Sequence, residues 1–596
     1  HKLIMKLQLL LFTILSLLVS SCVKEESDFI KGEQGHTYTS NILGIVIDEE
    51  GQPIKDANVT FNGVTKTTDE NGVYQFKDVE VSDRHSNLRI KKDAYFDGSR
   101  AFMTNRKANI SLKVILLKKD FDQSFESANG GSLKESNITV EFPSNGIVVE
   151  STGEKYTGQV NVAIKYMDPT SETIFDEMPG NLTGLNTAQA EVVLTTYGMV
   201  SIEMQSSTGQ KLQIASGKKV IINNKIPNEL LDKAPSTIPL WYFDENLGYW
   251  IEEGEAHLVN DTYVGDVGHF SCWNYDSELP SIILNGRVKD QRGQPINDAQ
   301  IRIKISGQTI GVGGTTNSDG LFNGRVPKDQ LLDIEISISS NDCNTIVYNE
   351  HIGPFSSNTS LNDIIVNLGS FNNIINVDIT GEVVDCNFGN VQNGYVKITT
   401  ITGQGHILPI ENGLVNGSFI SCKSMDNITI QAFDIENIQS SELTEVNVNL
   451  LIDFGTIIAC GVIPTYVKVK IPELSIDTIF VGDVVGLYGG DTIALLSFDS
   501  GMNIPRILFS FGWDLVPIGT VTTGTYPLKP NFFSNLTIID PTQVNYPLIG
   551  GEVTITKGGE FSIDSRVEGT YKTTFINPEN NEICHLSGSF RTITDR

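Results

Sequence analysis

Apolar and polar residues alternate one by one along most of the chain. Ile301, Ile303 and Ile305 are separated by Arg302 and Lys304, and Val467, Val469 and Ile471 by Lys468 and Lys470. In the same way Val160, Val162, Ile164 and Tyr166 alternate with Asn161, Ala163 and Lys165. Each run puts an apolar row on one face and a polar row on the other, as in a half-buried strand. After the N-terminus no long stretch carries apolar residues at helical spacing, so the predicted class is all-β. One pattern organises the rest. Gly44 to Phe76 predicts a strand, a turn at Glu50-Gly51-Gln52-Pro53, a second strand, a tight turn at Asp69-Glu70-Asn71-Gly72, and a third strand. The cassette returns at Gly286 to Phe322, and a worn copy begins at Gly381.

The matching residues of the first copy are Gly44, Val46, Asp48, Gly51-Gln52-Pro53-Ile54, Ala57, Val59, Thr68-Asp69, Asn71-Gly72 and Tyr74 to Phe76. Pro53 presets its own φ near the first turn, and Asn71-Gly72 suits the positive φ of a hairpin turn. The second copy keeps Gly286, Val288, Asp290, Gly293-Gln294-Pro295-Ile296, Ala299 and Ile301, with its second turn at Thr316-Asn317-Ser318-Asp319-Gly320. The third keeps Gly381, Val383, Asp385 and Val396. In it Gly389-Asn390 stands for Gly-Gln-Pro, and Asn412-Gly413 and Phe419 supply the second turn and third strand. These residues resemble the carboxypeptidase regulatory-like domain. That resemblance implies a transthyretin-like β-sandwich, a non-catalytic appendage of some carboxypeptidases. Asp69, Glu70 and Asn71 also offer oxygens for calcium, but no loop closed by a Glu accompanies them, and a bare hairpin turn is the expectation.

Between the first two cassettes lies a different unit. It carries Pro239-Leu240-Trp241-Tyr242-Phe243-Asp244, then Gly248-Tyr249-Trp250, then Gly268-His269-Phe270-Ser271-Cys272-Trp273-Asn274. The combination resembles a β-rich module of cartilage intermediate layer protein and of many Bacteroidetes surface proteins. Two readings of Trp241 and Trp250 stay open: a platform on which sugar rings stack, or core aromatics. Trp241 and Phe243 fall on one strand face and Leu247-Gly248 turns Trp250 back towards them, which favours the core. His269, beside Phe270, is expected to be a hydrogen-bonded core histidine.

The N-terminus supplies an address. Translation is expected to start at Met5, after which come Lys6, an apolar run from Leu7 to Val19, and Ser20-Ser21-Cys22. A basic start, a short apolar core and small residues before a cleavage point make a secretory signal, and the run is short for a membrane span. Val19-Ser20-Ser21-Cys22 resembles the bacterial lipobox, which implies cleavage before Cys22 and its acylation; a plain signal peptide with an incidental Cys22 is the alternative. Val23 to Asp28 resembles the Lys-and-acidic export tag of Bacteroidetes surface lipoproteins, which implies the outer leaflet facing the medium.

Composition narrows the classes further. A chain of 596 residues is too long for one core. A formal charge of −29 argues against nucleic acid, which needs clustered Lys and Arg. Six cysteines follow the N-terminal one: Cys272, Cys343, Cys386, Cys422, Cys460 and Cys584. In an exported protein they can pair, and one local bridge among Cys343, Cys386, Cys422 and Cys460 is expected. There is no C-x-x-C and only His351 and His406 lie among them, so neither a metal nor another cofactor is expected. No histidine begins H-x-x-E or H-E-x-x-H, and no G-x-S-x-G elbow or Walker loop occurs, so the chain reads as non-enzymatic.

The expectation is therefore an all-β, multidomain chain of β-sandwich modules behind a lipoprotein signal peptide (1–21) and a lipidated tether (22–40). Its divisions are a first regulatory-like sandwich (41–118), the Trp-rich module (119–276), a second sandwich (277–370), a degenerate third (371–464) and a C-terminal β domain (465–596). In that last domain Gly551 to Thr556, Val567 to Tyr571 and Leu586 to Phe590 read as consecutive antiparallel strands, and the final Gly588-Ser589-Phe590 strand resembles C-terminal domains of Bacteroidetes lipoproteins. The expected partners are the outer membrane, through the lipid, and an extracellular glycan or protein, in adhesion, scaffolding or ligand capture. A binding accessory of an uptake system is the alternative, and a hydrolase hidden in the C-terminal domain a third.

Overall fold

The computed structural model describes residues 35–340, 343–371, 374–400, 403, 405–421, 427–461, 465–474, 476–481, 485–489, 493–500, 506–514, 520–529, 535–540, 542–557, 559–560, 566–578 and 581–595. The signal peptide, Cys22, the start of the tether and Cys422 lie outside them. The chain is all-β, as the alternation predicts. Among the described residues the α-helices are single turns, Ile174–Glu177 and Asn228–Leu231.

All three cassettes fold alike. In the first, Thr37–Ile47 pairs antiparallel with Val73–Ser82 and parallel with Asn109–Ile115, and this sheet faces a second one ordered Val64–Thr67, Asn58–Phe61, Ser86–Lys91, Gly98–Phe102. In the second copy Leu321–Pro327 is the antiparallel partner, and Thr359–Ser360 and Ile364–Val366 are the parallel ones. In the third these roles fall to Leu414–Ser421 and Leu451–Ile458. Each sandwich buries its own core, with Val46, Ala57 and Val59 recurring as Val288, Ala299 and Ile301.

The first turn is built by one side chain. Asp48 Oδ1 accepts hydrogen bonds from the backbone N–H groups of Glu50 (3.1 Å) and Gln52 (2.7 Å), and Asp290 and Asp385 repeat this with Arg292 and Gln294, and with Asn387 and Gly389. Short acidic side chains favour such local turns. Gly51 and Gly293 follow at φ 77° and 82°, in the left-handed region. The third copy corrects the expected register. Its left-handed residue is Phe388, φ 61° and 74% exposed, so Gly389 matches Gln52, and Asn390 matches Pro53. A non-glycine residue there costs about 1 kcal/mol.

The second turn repeats the device: Asp69 Oδ1 caps Asn71 and Val73, and Asn317 Oδ1 caps Asp319 and Leu321. Thr68 and Thr316 staple turn to strand, accepting from Ala57 and Ala299 and donating to the carbonyls of Ile54 and Ile296. In the third copy Asn412 and Gly413 form a two-residue turn with both φ positive, and Phe419 follows on the strand.

The Trp-rich unit is one large twisted sheet built around Glu191–Ser206 and Cys272–Asp290. Apolar residues cover both its faces, so Ala163, expected on a polar face, is buried as fully as Val162. The 19-residue strand Cys272–Asp290 belongs to two sheets. Its first half pairs with Glu191–Ser206 and Thr237–Asp244, its second half with strands of the second cassette. The division expected at 276/277 falls inside this strand.

In the C-terminal region Thr542–Lys557, Arg566–Ile576 and Ile583–Asp595 pair in succession and antiparallel, as expected. Ile583–Asp595 also pairs with Val485–Gly489, which closes a circuit of strands around Phe509, Phe511, Trp513 and Tyr571.

Candidate functional site

Trp241 and Trp250 are both 0% exposed, which corrects the sugar-platform reading: neither ring presents a face to a ligand. Trp250 lies across from Phe243 on the neighbouring strand, with ring centroids 5.3 Å apart. The indole N–H of Trp241 donates to the carbonyl of Asp276 (3.1 Å) and that of Trp250 to Asn181 (2.8 Å). Buried indoles need such partners. Their core also takes in Phe96 and Leu117 from the first cassette, so the two units share apolar contacts. His269 is a second correction. It is half-exposed, sits edge-on to Tyr242 and lies 3.6 Å from Glu253 Oε2.

A concavity lies elsewhere. A cleft of about 750 Å³ opens where the first cassette, the Trp-rich unit and the second cassette meet. The turn Ile174–Glu177 projects into this junction. The Arg302 guanidinium lies over the Phe175 ring (5.6 Å), and the buried Arg100 donates to the carbonyls of Asp176, Lys113 and Phe175. Around the walls Lys113 pairs with Asp176 (3.1 Å), Asn344 donates to Glu172, and Asp363 pairs with Lys289 (2.6 Å). Lys113 with Asp176 and Lys289 with Asp363 are thus matched charge to charge, whereas Glu172 meets a neutral amide.

Glu191 is the bolt behind the cleft, and sequence reasoning missed it. Its carboxylate accepts from the Tyr249 hydroxyl (2.7 Å), from Arg84 of the first cassette (3.3 Å) and from Arg325 of the second. Three units thus converge on one side chain. His85 stacks on Tyr249 with centroids 3.9 Å apart and meets the carbonyl of Leu247 (3.0 Å). Burial pushes His85 down to about 4, so it is neutral at pH 7.

Cassettes far apart in sequence also touch. The Asp69 turn docks on the third copy: Tyr395 donates to Asp69 Oδ2 (2.5 Å), Asn71 to the Tyr395 hydroxyl (2.9 Å) and Lys397 to Asn71 (2.7 Å). Leu43, Val73, Tyr395 and Phe433 close an apolar patch beside them. The turn read as a bare hairpin is thus also an interface.

Burial raises Asp69 to about 6, against the pull of Tyr395, Val73 and Asn71. A carboxyl whose folded value lies above its unfolded value of 3.8 contributes stability that is fully present below pH 4 and is lost as pH rises through about 6. Asp69→Asn keeps the turn acceptor, as Asn317 does in the second copy. We expect it to flatten the pH 4–6 dependence of the urea midpoint relative to the parent; a slope unchanged by the substitution would refute this assignment.

Burial shifts three further groups. Burial pushes the Cys272 thiol up to about 12 and Cys584 up to about 11, and drives His406 down to about 4. Cys386 and Cys460 form a disulfide with Cα atoms 5.0 Å apart, one local bridge of the kind expected. Among the described residues no group of three or more His, Cys, Asp or Glu could hold a metal ion. None of the helices described is long and apolar enough to cross a membrane.

No family model matches the chain. A stretch of 124 residues, 20% of this chain, is 27% identical to human cartilage intermediate layer protein 1 and covers 10% of it. The pig protein of the same name is 26% identical over 120 residues, 20% of this chain and 19% of the relative. The likeness therefore spans a small part of those proteins. Among solved structures, the shaft pilin SpaA of Lactobacillus rhamnosus GG aligns with 30% of this chain and 99% of its own at 11% identity and a TM-score of 0.16. A membrane-associated protein of unknown function from Bacteroides fragilis aligns with 41% of this chain and 99% of its own at 8% identity and a TM-score of 0.12. Scores this low carry no argument about role.

Proposed function

We propose that the chain is a non-catalytic, lipid-anchored surface protein of the outer membrane that captures a ligand in the cleft between its first cassette, its Trp-rich unit and its second cassette. The observation that carries this reading is the cleft itself: it has a volume of about 750 Å³, is bounded by three units bolted together at Glu191, and carries ion pairs such as Lys113–Asp176 in its walls. A preformed concavity of this size suits recognition. A parallel last strand on the central strand of each cassette supports their regulatory-like reading. The address rests on the lipobox-like Val19-Ser20-Ser21-Cys22 and the tag that follows it. Several acyl chains suffice for stable anchoring.

Changing Cys22 to Ser is expected to move the protein from the membrane to the soluble fraction, and a variant that still sediments with outer membranes would end the anchor reading. Proteinase added to intact cells is expected to remove the parent protein; survival until lysis would place it on the periplasmic side.

A further inference from the structure

The second cassette departs from the other two at one place. Val59, Ile301 and Val396 hold the same position in the second strand, and their antiparallel partners are Lys66, Gly314 and Leu408. Ile42, Leu284 and Ile379 hold the same position in the central strand, opposite Phe76, Gly324 and Gly417. Residues directly opposite each other point to one face, and here that face is the inside of the sandwich, because all six reference residues are buried in it. The first copy fills this edge with Phe76, packed against Phe61 (6.0 Å). The third fills it with Leu408, whose side chain leaves no room for a Cβ at Gly417 (3.0 Å).

The second copy has glycine at both places. A Cβ built on Gly314 or Gly324 meets nothing within 4 Å, and neither residue has a positive φ. The chain's own packing and backbone therefore require glycine at neither. Glycine weakens a strand, and where it persists it marks a close approach by another backbone or a ligand. The space over both glycines is the cleft, floored by Leu284, Ile301 and Phe322. Their strands, Gly311–Thr315 and Leu321–Pro327, are the outer strands of their sheets, each paired on one side among the described residues.

We propose that this slot receives an extended polypeptide segment of a partner, which pairs its backbone with one of the two open edges and drops a large apolar side chain between the sheets over Gly314 and Gly324. Strand addition takes its affinity from main-chain hydrogen bonds and its specificity from pockets for alternate side chains. An aliphatic and aromatic floor suits a hydrocarbon side chain; sugar hydroxyls would leave their hydrogen bonds unmade there. The proposal rests on reading the cleft as a recognition site and is independent of the lipid anchor, whose failure would show in fractionation alone.

The test uses the full chain in detergent, panned against a phage-displayed library of unstructured peptides of about twelve residues, one strand's length with flanks. Recovered peptides are synthesised and titrated by fluorescence anisotropy. They are expected to share a large apolar residue within a β-branched or aromatic stretch. Gly324→Phe restores the first copy's residue and is expected to weaken binding about tenfold or more, with an equal or higher melting temperature. Gly314→Leu, the third copy's residue, gives the same result by a separate route. Methylating alternate peptide amides is expected to abolish binding in one register and spare it in the other. Absence of enriched peptides, equal binding to both folded variants, or indifference to methylation would overturn the proposal. So would a glycan-array signal that Gly324→Phe removes in the absence of peptide binding, which would give the slot to sugars.

Discussion

Replacing Glu191 by Ala is expected to lower the unfolding free energy of the region around the Trp-rich unit by about 3–5 kcal/mol. The size follows from what is stranded. Arg325 is a charged side chain only 8% exposed, and its ion-pair partner in the structure is Glu191. Tyr249 is buried with its hydroxyl on the same carboxylate. Removing one partner of a buried pair leaves the other charge uncompensated, which costs far more than the pair contributes when intact. Glu191→Gln keeps an acceptor for Tyr249 and discards the charge, so a smaller loss is expected. Urea unfolding followed by tryptophan fluorescence reads the change. Because Arg84, Tyr249 and Arg325 come from three units, limited proteolysis should also open cuts in all three. A loss below about 1 kcal/mol would show that water replaces Glu191 at no cost.

Trp241→Ala is expected to cost a similar amount, about 3–5 kcal/mol. The ring is fully buried, and it lies so close to Gly184 that a Cβ there would come within 2.7 Å of it. Truncation leaves a cavity that a sheet packed on both faces has little freedom to close, and it takes the N–H from the carbonyl of Asp276. Trp241→Phe, which refills most of the volume, should recover more than half of the loss. The same experiment judges the platform reading, since a surface tryptophan could be truncated for about 0.5 kcal/mol or less. The midpoint shift in urea distinguishes the two.

Features carried by local chemistry were legible in the sequence. The alternation predicted strands, Pro53 and Asn71-Gly72 predicted turns, and the spacing of Trp241 and Phe243 predicted a shared buried face. The third copy's register was not legible, because its left-handed position holds Phe388, and no propensity rule places phenylalanine there. Burial of both faces at Val162 and Ala163 escaped too, since a short apolar residue on the second face reads as polar-side filler until a covering layer is known. Contacts between cassettes, such as Tyr395 on Asp69, join residues hundreds of positions apart and leave no periodic trace. Glu191 looked like any acidic residue at the start of a strand. The cleft was hidden for a related reason. A missing side chain has no hydropathy signal, and Gly314 and Gly324 become informative only when their partners in the other copies are known.

The strand Cys272–Asp290 has a mechanical consequence. At about 3.3 Å per residue it is a rod roughly 60 Å long. Each of its residues is laddered to a neighbour, from Cys272 against Ser201 to Asp290 against Val366. No pivot lies between the Trp-rich unit and the second cassette. A load applied at one therefore travels along the rod's own axis into the other, across hydrogen bonds that must shear together and cannot unzip one at a time.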